Sequence, residues 1–350
     1  MNCGAMPHPL DPQDKKESSM KKVALTGIKP TGIPHIGNYL GAIQPALKLS
    51  ESCEARYFIA DYHALNSTKD PAVIKRMTVE IAAAWLACGL DPQKVLFYRQ
   101  SGVPETFELL TILLAFTPKG LMNRAHAYKA MIQANAASGK DPDEGVNMGL
   151  YTYPVLMAAD ILLFDTDYVP VGNDQFQHVE MAVDIAQSFN HIYATQAIKL
   201  PQAVAQDNYK TVVGLDGRKM SKSYGNIIPL FASEKQLRKL VMKIVTNSQS
   251  IAEPKDPDSC NVFALYKCFA KEEQVEALRE KYLAGGMGWG YAKQQLFELM
   301  NETLRPYRLR YEELMQNQDY IYQVLAEGSQ KARALAAQKI ASLRKIIGID

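Results

Sequence analysis

Val23-Ala-Leu-Thr-Gly-Ile-Lys-Pro-Thr-Gly-Ile-Pro-His-Ile-Gly-Asn38 passes from a short apolar run through a glycine-rich turn into the start of an amphipathic stretch. The same order recurs downstream. Arg56-Tyr-Phe-Ile-Ala60, Val95-Leu-Phe-Tyr98 and Tyr168-Val-Pro-Val171 are further short apolar runs. Helical periodicity predicts helices near Ile36–Ser50, Val73–Cys88, Thr106–Phe116, Pro154–Phe164 and Gln175–Phe189. This alternation predicts an α/β chain: a Rossmann-type parallel sheet wrapped by helices, with ligands at the carboxyl ends of the strands.

Outward from that core, the first twenty residues carry no periodicity and read as a flexible leader. A Rossmann catalytic domain is predicted over 21–205 and a Pro/Asp/Asn/Gly-bearing connector over 206–230. From Ser233 every periodic segment is helical, which makes 231–350 an all-helical C-terminal domain. The chain has 350 residues, 47% hydrophobic and 22% charged, enough for a real core and unlike a disordered or disulfide-stapled chain. Its 5 cysteines form no Cys-x-x-Cys, so reduced thiols are expected rather than a zinc site. No run is long and apolar enough to span a bilayer and no signal peptide is visible, so a cytoplasmic location is expected. With 39 basic against 37 acidic residues, any RNA contact must come from local patches.

Three stretches carry chemistry. In the opening turn, Gly27, Gly32 and Gly37 let the backbone pass close to a ligand, and the helix start offers amides to a phosphate. The turn matches neither Gly-x-x-x-x-Gly-Lys-Ser/Thr nor Gly-x-Gly-x-x-Gly, so an adenylate cradle is favoured over a P-loop or dinucleotide site. Lys219-Met-Ser-Lys-Ser223, between Asp216-Gly217 and Gly225, places two lysines on a hinged loop suited to closing over a triphosphate. With Pro154 at the first helical position, Tyr153, Met157 and Asp160 fall at i, i+4 and i+7 on one face. A carboxylate in Val155-Leu-Met-Ala-Ala-Asp-Ile-Leu-Leu-Phe164 needs a donor. A strand end at Gly172 then leads to a helix with Gln175 and His178 on one face; His178 equally suits a satisfied core histidine. Taken singly, each of these has an ordinary structural reading: a strand-to-helix turn, a solvated lysine turn, a buried ion pair.

Together, His35-Ile-Gly-Asn38 and Lys219–Ser223 resemble the two signatures of class I aminoacyl-tRNA synthetases. Gly41-Ala42, Tyr153-Pro154 with Met157-Ala-Ala-Asp160, Val169–His178, and Glu302-Thr-Leu-Arg-Pro306 with Arg310-Tyr311 narrow the resemblance to the bacterial-type tryptophanyl-tRNA synthetase family. The resemblance covers about Lys21 to the C-terminus. It implies activation of L-tryptophan by ATP, then transfer to tRNA(Trp). Asp160 would accept the indole N–H, with Tyr153, Met157 and Gln175 around the substrate ammonium, His63 by the ring, and Val169 and Val171 as walls. Lys29, Pro30, Thr31, Gly37, Asn38, Gly172, Asn173, Asp174, Val212, Lys219, Met220, Ser221, Lys222 and Ser223 would contact ATP. His35, Asn38, Lys219 and Lys222 would act in catalysis, on the phosphates and on the leaving pyrophosphate. Mg²⁺ would arrive with ATP rather than at a protein metal site. Many relatives carry Gln where Lys29 stands, which leaves the sharing of phosphate contacts open.

The resemblance further implies that the C-terminal domain recognises the tRNA anticodon. Arg305, Arg308, Arg310, Lys331, Arg333, Lys339, Arg344 and Lys345, with Tyr307, Tyr311 and Tyr320, compose a basic, aromatic-bearing surface suited to an RNA backbone. For any single one of these the plainer reading is a solvated helix face. The apolar stretch Thr106–Met122 reads as core or as half of a homodimer interface. The nearest rival is tyrosyl-tRNA synthetase. A small-molecule adenylyltransferase and a non-catalytic tRNA-binding paralogue stand further off.

Overall fold

The computed structural model describes residues 21–172, 175–205 and 212–349. The predicted leader, Asn173, Asp174, the first part of the connector and Asp350 lie outside the described residues. In chain order the elements are β1 (Val23–Ile28), α1 (Ile36–Asn38), a π-helical turn at Tyr39–Ile43 leading into α2 (Gln44–Leu49), β2 (Glu54–Ile59), α3 (Pro71–Ala87) and β3 (Leu96–Arg99). Then follow α4 (Glu105–Leu114), α5 (Lys119–Met122), α6 (His126–Ala137), α7 (Met148–Leu162), β4 (Tyr168–Val171), α8 (Phe176–Ile192) and β5 (Gln202–Ala205). The remainder is helical: α9 (Glu234–Met242), α10 (Asn261–Tyr266), α11 (Glu272–Ala284), α12 (Trp289–Gln316) and α13 (Gln318–Ile347).

The strands form one 5-stranded parallel sheet in the order β3-β2-β1-β4-β5. The order runs outward one way from β1 to β3 and then reverses to β4 and β5, so the switch point lies between β1 and β4. Loops leaving the carboxyl ends of these two strands diverge there and open a crevice. The α/β, Rossmann-type expectation therefore holds.

Three local features depart from the sequence reading or add to it. Pro154 does not start a helix: α7 begins six residues earlier, where the Asn147 side chain accepts from the Leu150 N–H at 2.9 Å and caps it. Pro154 sits buried inside α7. Asn147 satisfies an otherwise orphaned donor of the first turn, and this decides the start more strongly than proline's preference for position N1. The i, i+4, i+7 spacing survives because all three residues remain in one helix. Second, β5 occupies a stretch whose composition reads as the edge of the connector; pairing with β4 makes it a strand although only four residues long. Third, α6 has no strong apolar stripe, and the periodicity gives no signal for it.

The C-terminal helices share their core with the sheet domain. α12 packs on α3 and α9, while α13 lies against β3 and α4. Ala332, Ala336, Ile340 and Leu343 of α13 belong to the same buried cluster as Leu109, Leu113 and Val155. Gly328 permits the closest approach: a Cβ there would stand 1.7 Å from the Phe97 carbonyl oxygen. Beside it, the Ser329 Oγ accepts from the Arg99 N–H at 3.4 Å.

This packing engages several of the cations and aromatics that the sequence reading placed on a basic surface or a solvated helix face. Arg308 is buried, donating to the Ala232 carbonyl at 2.7 Å and to Asn301 Oδ1 at 3.0 Å. Lys339 binds Asp165 and the Ala197 carbonyl, Arg333 pairs with Glu105 at 3.1 Å and Arg344 with Glu108 at 2.6 Å. Tyr311 stacks on Phe231 at 4.0 Å between ring centroids, and Tyr307 packs on Tyr39. These side chains tie α12 and α13 to the rest of the protein, whereas Arg305, Lys331 and Lys345 are exposed. In the predicted dimer stretch, Leu109, Leu113 and Leu121 are core and Leu114 is 42% exposed.

Candidate active site

A cavity of about 570 Å³ opens at the switch point, between the ends of β1 and β4 and the face of α7. Its lining contains all seven residues expected around an amino acid: His63, Tyr153, Met157, Asp160, Val169, Val171 and Gln175, together with Lys29 and Gly172. Period-two alternation puts Val169 and Val171 on one side of β4, and the helical period puts Tyr153, Met157 and Asp160 on one side of α7. The floor is apolar, with Leu25, Phe58 and Ile161.

Among the described residues Asp160 is the only carboxylate in this lining. It is 4% exposed, and its oxygens accept from the Gln100 amide at 2.9 and 2.8 Å, while the His63 Nε2 lies 3.1 Å from Oδ2. Burial pushes its carboxyl above the usual carboxylate range; the His63 ring and the Gln100 amide work in the opposite direction. A buried, hydrogen-bonded carboxylate at the end of an apolar slot suits a ligand that is flat, apolar and carries one N–H donor. Along the same lining, the Tyr153 hydroxyl meets His178 Nε2 at 2.6 Å, and the His178 Nδ1 meets the Gln175 Oε1 at 2.8 Å. His178 is 2% exposed and does not line the cavity; it orders Tyr153 and Gln175 from behind.

The two loop signatures meet beside this cavity. Gly32, at φ +81°, makes the turn that brings the chain from β1 to His35. The strip after the connector loop is hydrogen-bonded to the same segment: Ile36 donates to the Ile228 carbonyl at 2.9 Å and Leu230 to the Pro34 carbonyl at 3.0 Å. Lys222 Nζ reaches across to the Thr31 carbonyl at 2.6 Å. Its ammonium is held below the usual lysine range by desolvation, with the Glu80 carboxylate opposing. Met220 is buried in the core against Gly37, and Val212 accepts its N–H at 2.8 Å. Lys219 is exposed.

His35 is 8% exposed and its Nδ1 has no partner among the described residues. Burial, with the Lys222 cation nearby, lowers its pKa to about 4, so the ring is neutral at pH 7. It approaches an anion as a dipole and not as a cation. Asn38 accepts from the His35 N–H through Oδ1 at 3.0 Å, which directs the carbonyl end of its side chain inward to the turn. Lys29 is exposed, and partial burial lowers its pKa. Pro30 is buried beneath the turn, while Ser221 caps the short turn after it by accepting from the Ser223 N–H at 3.3 Å. Asn173 and Asp174 lie outside the described residues.

Two organising residues carry no motif in the sequence. Asn226, 3% exposed, accepts from the Ser221 N–H at 2.8 Å and donates to Asp216 at 2.7 Å and to the Lys219 carbonyl at 3.1 Å. It therefore fixes the first half of the lysine loop. Gln100, fully buried after β3, holds Asp160. Its one sequence signal is position: it follows a strand at the carboxyl edge of the sheet, where ligand-facing polar residues gather. Among the described residues no group of three or more His, Cys, Asp or Glu side chains is placed to hold a metal ion. No helix there is long and apolar enough to cross a membrane.

Residues 17–305 match the family model described as tRNA synthetases class I (W and Y). The chain is 53% identical over 329 residues to the Tryptophan--tRNA ligase of Pseudomonas aeruginosa, covering 93% of this chain and 73% of that protein. With the Tryptophan--tRNA ligase of Neisseria meningitidis identity is 50% over 332 residues, 94% of this chain and 98% of that one. Among solved structures, tryptophanyl-tRNA synthetase from Campylobacter jejuni complexed with ADP and tryptophan superimposes with a TM-score of 0.85 at 44% identity, covering 93% of this chain and 99% of that chain. A parallel sheet with a cavity at its switch point, two interlocked signature loops and relatives matched over nearly the whole chain agree: the chain belongs to the class I tRNA synthetases of the tryptophan and tyrosine (W and Y) family.

Proposed function

We propose that this chain is a tryptophan–tRNA ligase: it activates L-tryptophan with ATP to tryptophanyl-adenylate, releasing diphosphate, and transfers tryptophan to tRNA(Trp), releasing AMP. The observation that carries the choice of amino acid is Asp160, a carboxylate at the end of an apolar slot, where it can accept an indole N–H. Relatives named for tryptophan at 50% identity and above favour this over tyrosine.

Activation needs no protein nucleophile. The tryptophan carboxylate attacks the α-phosphorus, the bond to the bridging oxygen breaks, and diphosphate departs with the electron pair. The protein contributes placement and charge. Tyr153, Met157 and Gln175 surround the ammonium, His63 borders the ring, and Val169 and Val171 form the walls. ATP lies along the glycine turn and the lysine loop, touching Lys29 to Thr31, Gly37, Asn38, Gly172 to Asp174, Val212 and Lys219 to Ser223. His35 and Asn38 attend the phosphates, Lys219 and Lys222 the leaving diphosphate. Lys222 already bridges the two loops, so its exchange of the Thr31 carbonyl for a phosphate oxygen is a short movement. Mg²⁺, arriving with ATP, would supply further neutralisation of the phosphate charge beside Lys219 and Lys222.

The division into a catalytic domain (21–205), a connector (206–230) and a tRNA-binding helical domain (231–350) is part of the same reading, with exposed cations such as Arg305, Lys331 and Lys345 on the RNA side. A homodimer and a cytoplasmic location complete it. ATP–diphosphate exchange driven separately by tryptophan and by tyrosine is the test: exchange with tryptophan alone is expected, and exchange with neither removes the reading.

A further inference from the structure

We propose that Gln100 is a specificity-determining positioning residue: it aims the Asp160 carboxylate at the indole N–H. The inference rests on the ligase reading above and deepens it. Gln100 is 0% exposed, and its amide has only one orientation that satisfies its neighbours. Its Oε1 accepts from the Tyr62 N–H at 3.1 Å, which commits the NH₂ end to the other side. There it donates to both Asp160 oxygens, at 2.9 and 2.8 Å. A backbone donor thus sets the amide, and the amide sets the carboxylate.

The turn that carries Gln100 is pinned on both sides. Asp61, at the end of β2, accepts from the Ser101 N–H at 3.0 Å and from the Ser101 hydroxyl. On the other side the Arg99 N–H reaches Ser329 Oγ of α13. Each carboxylate oxygen has two acceptor directions. The amide takes one from each, and the His63 ring occupies another on Oδ2, so the remaining capacity points to the cavity that Asp160 lines. Gln100 itself does not line that cavity. Its effect on substrate must pass through Asp160, and a ligand without an N–H should not feel it.

The experiment measures exchange for tryptophan and for its benzothienyl analogue, in which sulfur replaces the N–H, in the wild-type protein and in Gln100→Met, which keeps the volume and removes the amide. The expected result is a roughly tenfold rise in KM for tryptophan, the size of one lost charge-assisted hydrogen bond. KM for ATP and kcat should stay near wild type, and the analogue's KM should change little. Should Gln100→Met not fold, Gln100→Asn, one methylene shorter, carries the same expectation. An unchanged KM for tryptophan, or an equal rise for tryptophan and the analogue, overturns the role of Gln100 while leaving the ligase reading intact. Absence of tryptophan-dependent exchange in the wild-type protein overturns both.

Discussion

Replacing Asp160 by alanine removes one acceptor from the substrate and one from each of two neighbouring donors, the buried Gln100 and the half-buried His63, and the consequences separate. The indole N–H loses a hydrogen bond to a charged partner, worth about 1.5–3 kcal/mol. At about 1.4 kcal/mol per factor of ten this becomes a roughly 10- to 150-fold rise in KM for tryptophan. The bond is made in the ground state and in the transition state alike, so kcat and the KM for ATP should change little. Phenylalanine has no N–H to lose, so discrimination between the two amino acids should fall by the same factor. Stability shifts less than the loss of these hydrogen bonds alone would give. The Gln100 amide and the His63 ring each lose an acceptor, costing about 1–3 kcal/mol apiece, yet removal of a carboxylate that burial already disfavours offsets part of it. Steady-state exchange with tryptophan and phenylalanine, alongside a melting curve, reads all of these. A folded Asp160→Ala protein with unchanged KM for tryptophan, or with equal losses for both amino acids, refutes the reasoning.

Other expectations follow from the same contacts. The His35 pKa is depressed to about 4 from 6.5, so the unfolded chain binds the extra proton first. This contribution to stability is therefore present above pH 6.5 and lost as pH falls towards 4, by up to about 3 kcal/mol; urea titrations of wild type and His35→Gln at pH 7.5 and 5 should show a shallower acid loss in the variant. Asn226→Ala frees the first half of the lysine loop and leaves the Ser221 N–H without its acceptor, so kcat for exchange should fall by roughly tenfold or more, with tryptophan KM, read by the same assay, nearly unchanged. Gly328→Ala forces a Cβ against the Phe97 carbonyl and should lower stability by about 1–3 kcal/mol or more, measured as a drop in melting temperature.

Much of the site is legible in the sequence because its spacing is local. Tyr153, Met157 and Asp160 share a face in any helix that contains them, so the mistaken start at Pro154 did no harm to their grouping. Likewise Val169 and Val171 share a face in any strand. Gln100 and Asn226 are different: a glutamine after a strand and an asparagine after a lysine loop have no local signature, and their partners lie 60 residues away in the first case and on a folded-back loop in the second. The C-terminal cations were misjudged for the same reason. Arg308 and Lys339 bind carbonyls and a carboxylate from other parts of the chain, and only packing reveals that such a side chain is engaged.

The sequence by itself determined the alternating α/β order, the glycine turn, the lysine loop and the acid in an apolar helix, since each is a matter of residue type and short-range period. The tertiary structure decided what these do to one another. Strand order placed β1 beside β4 and so created the cavity; pairing of Ile36 with Ile228 brought the lysine loop to the turn; and α13 closed on β3 because Gly328 lets two backbones touch. Those contacts join residues far apart in sequence, and their cost in chain entropy is met only when the whole core forms, which no local pattern records.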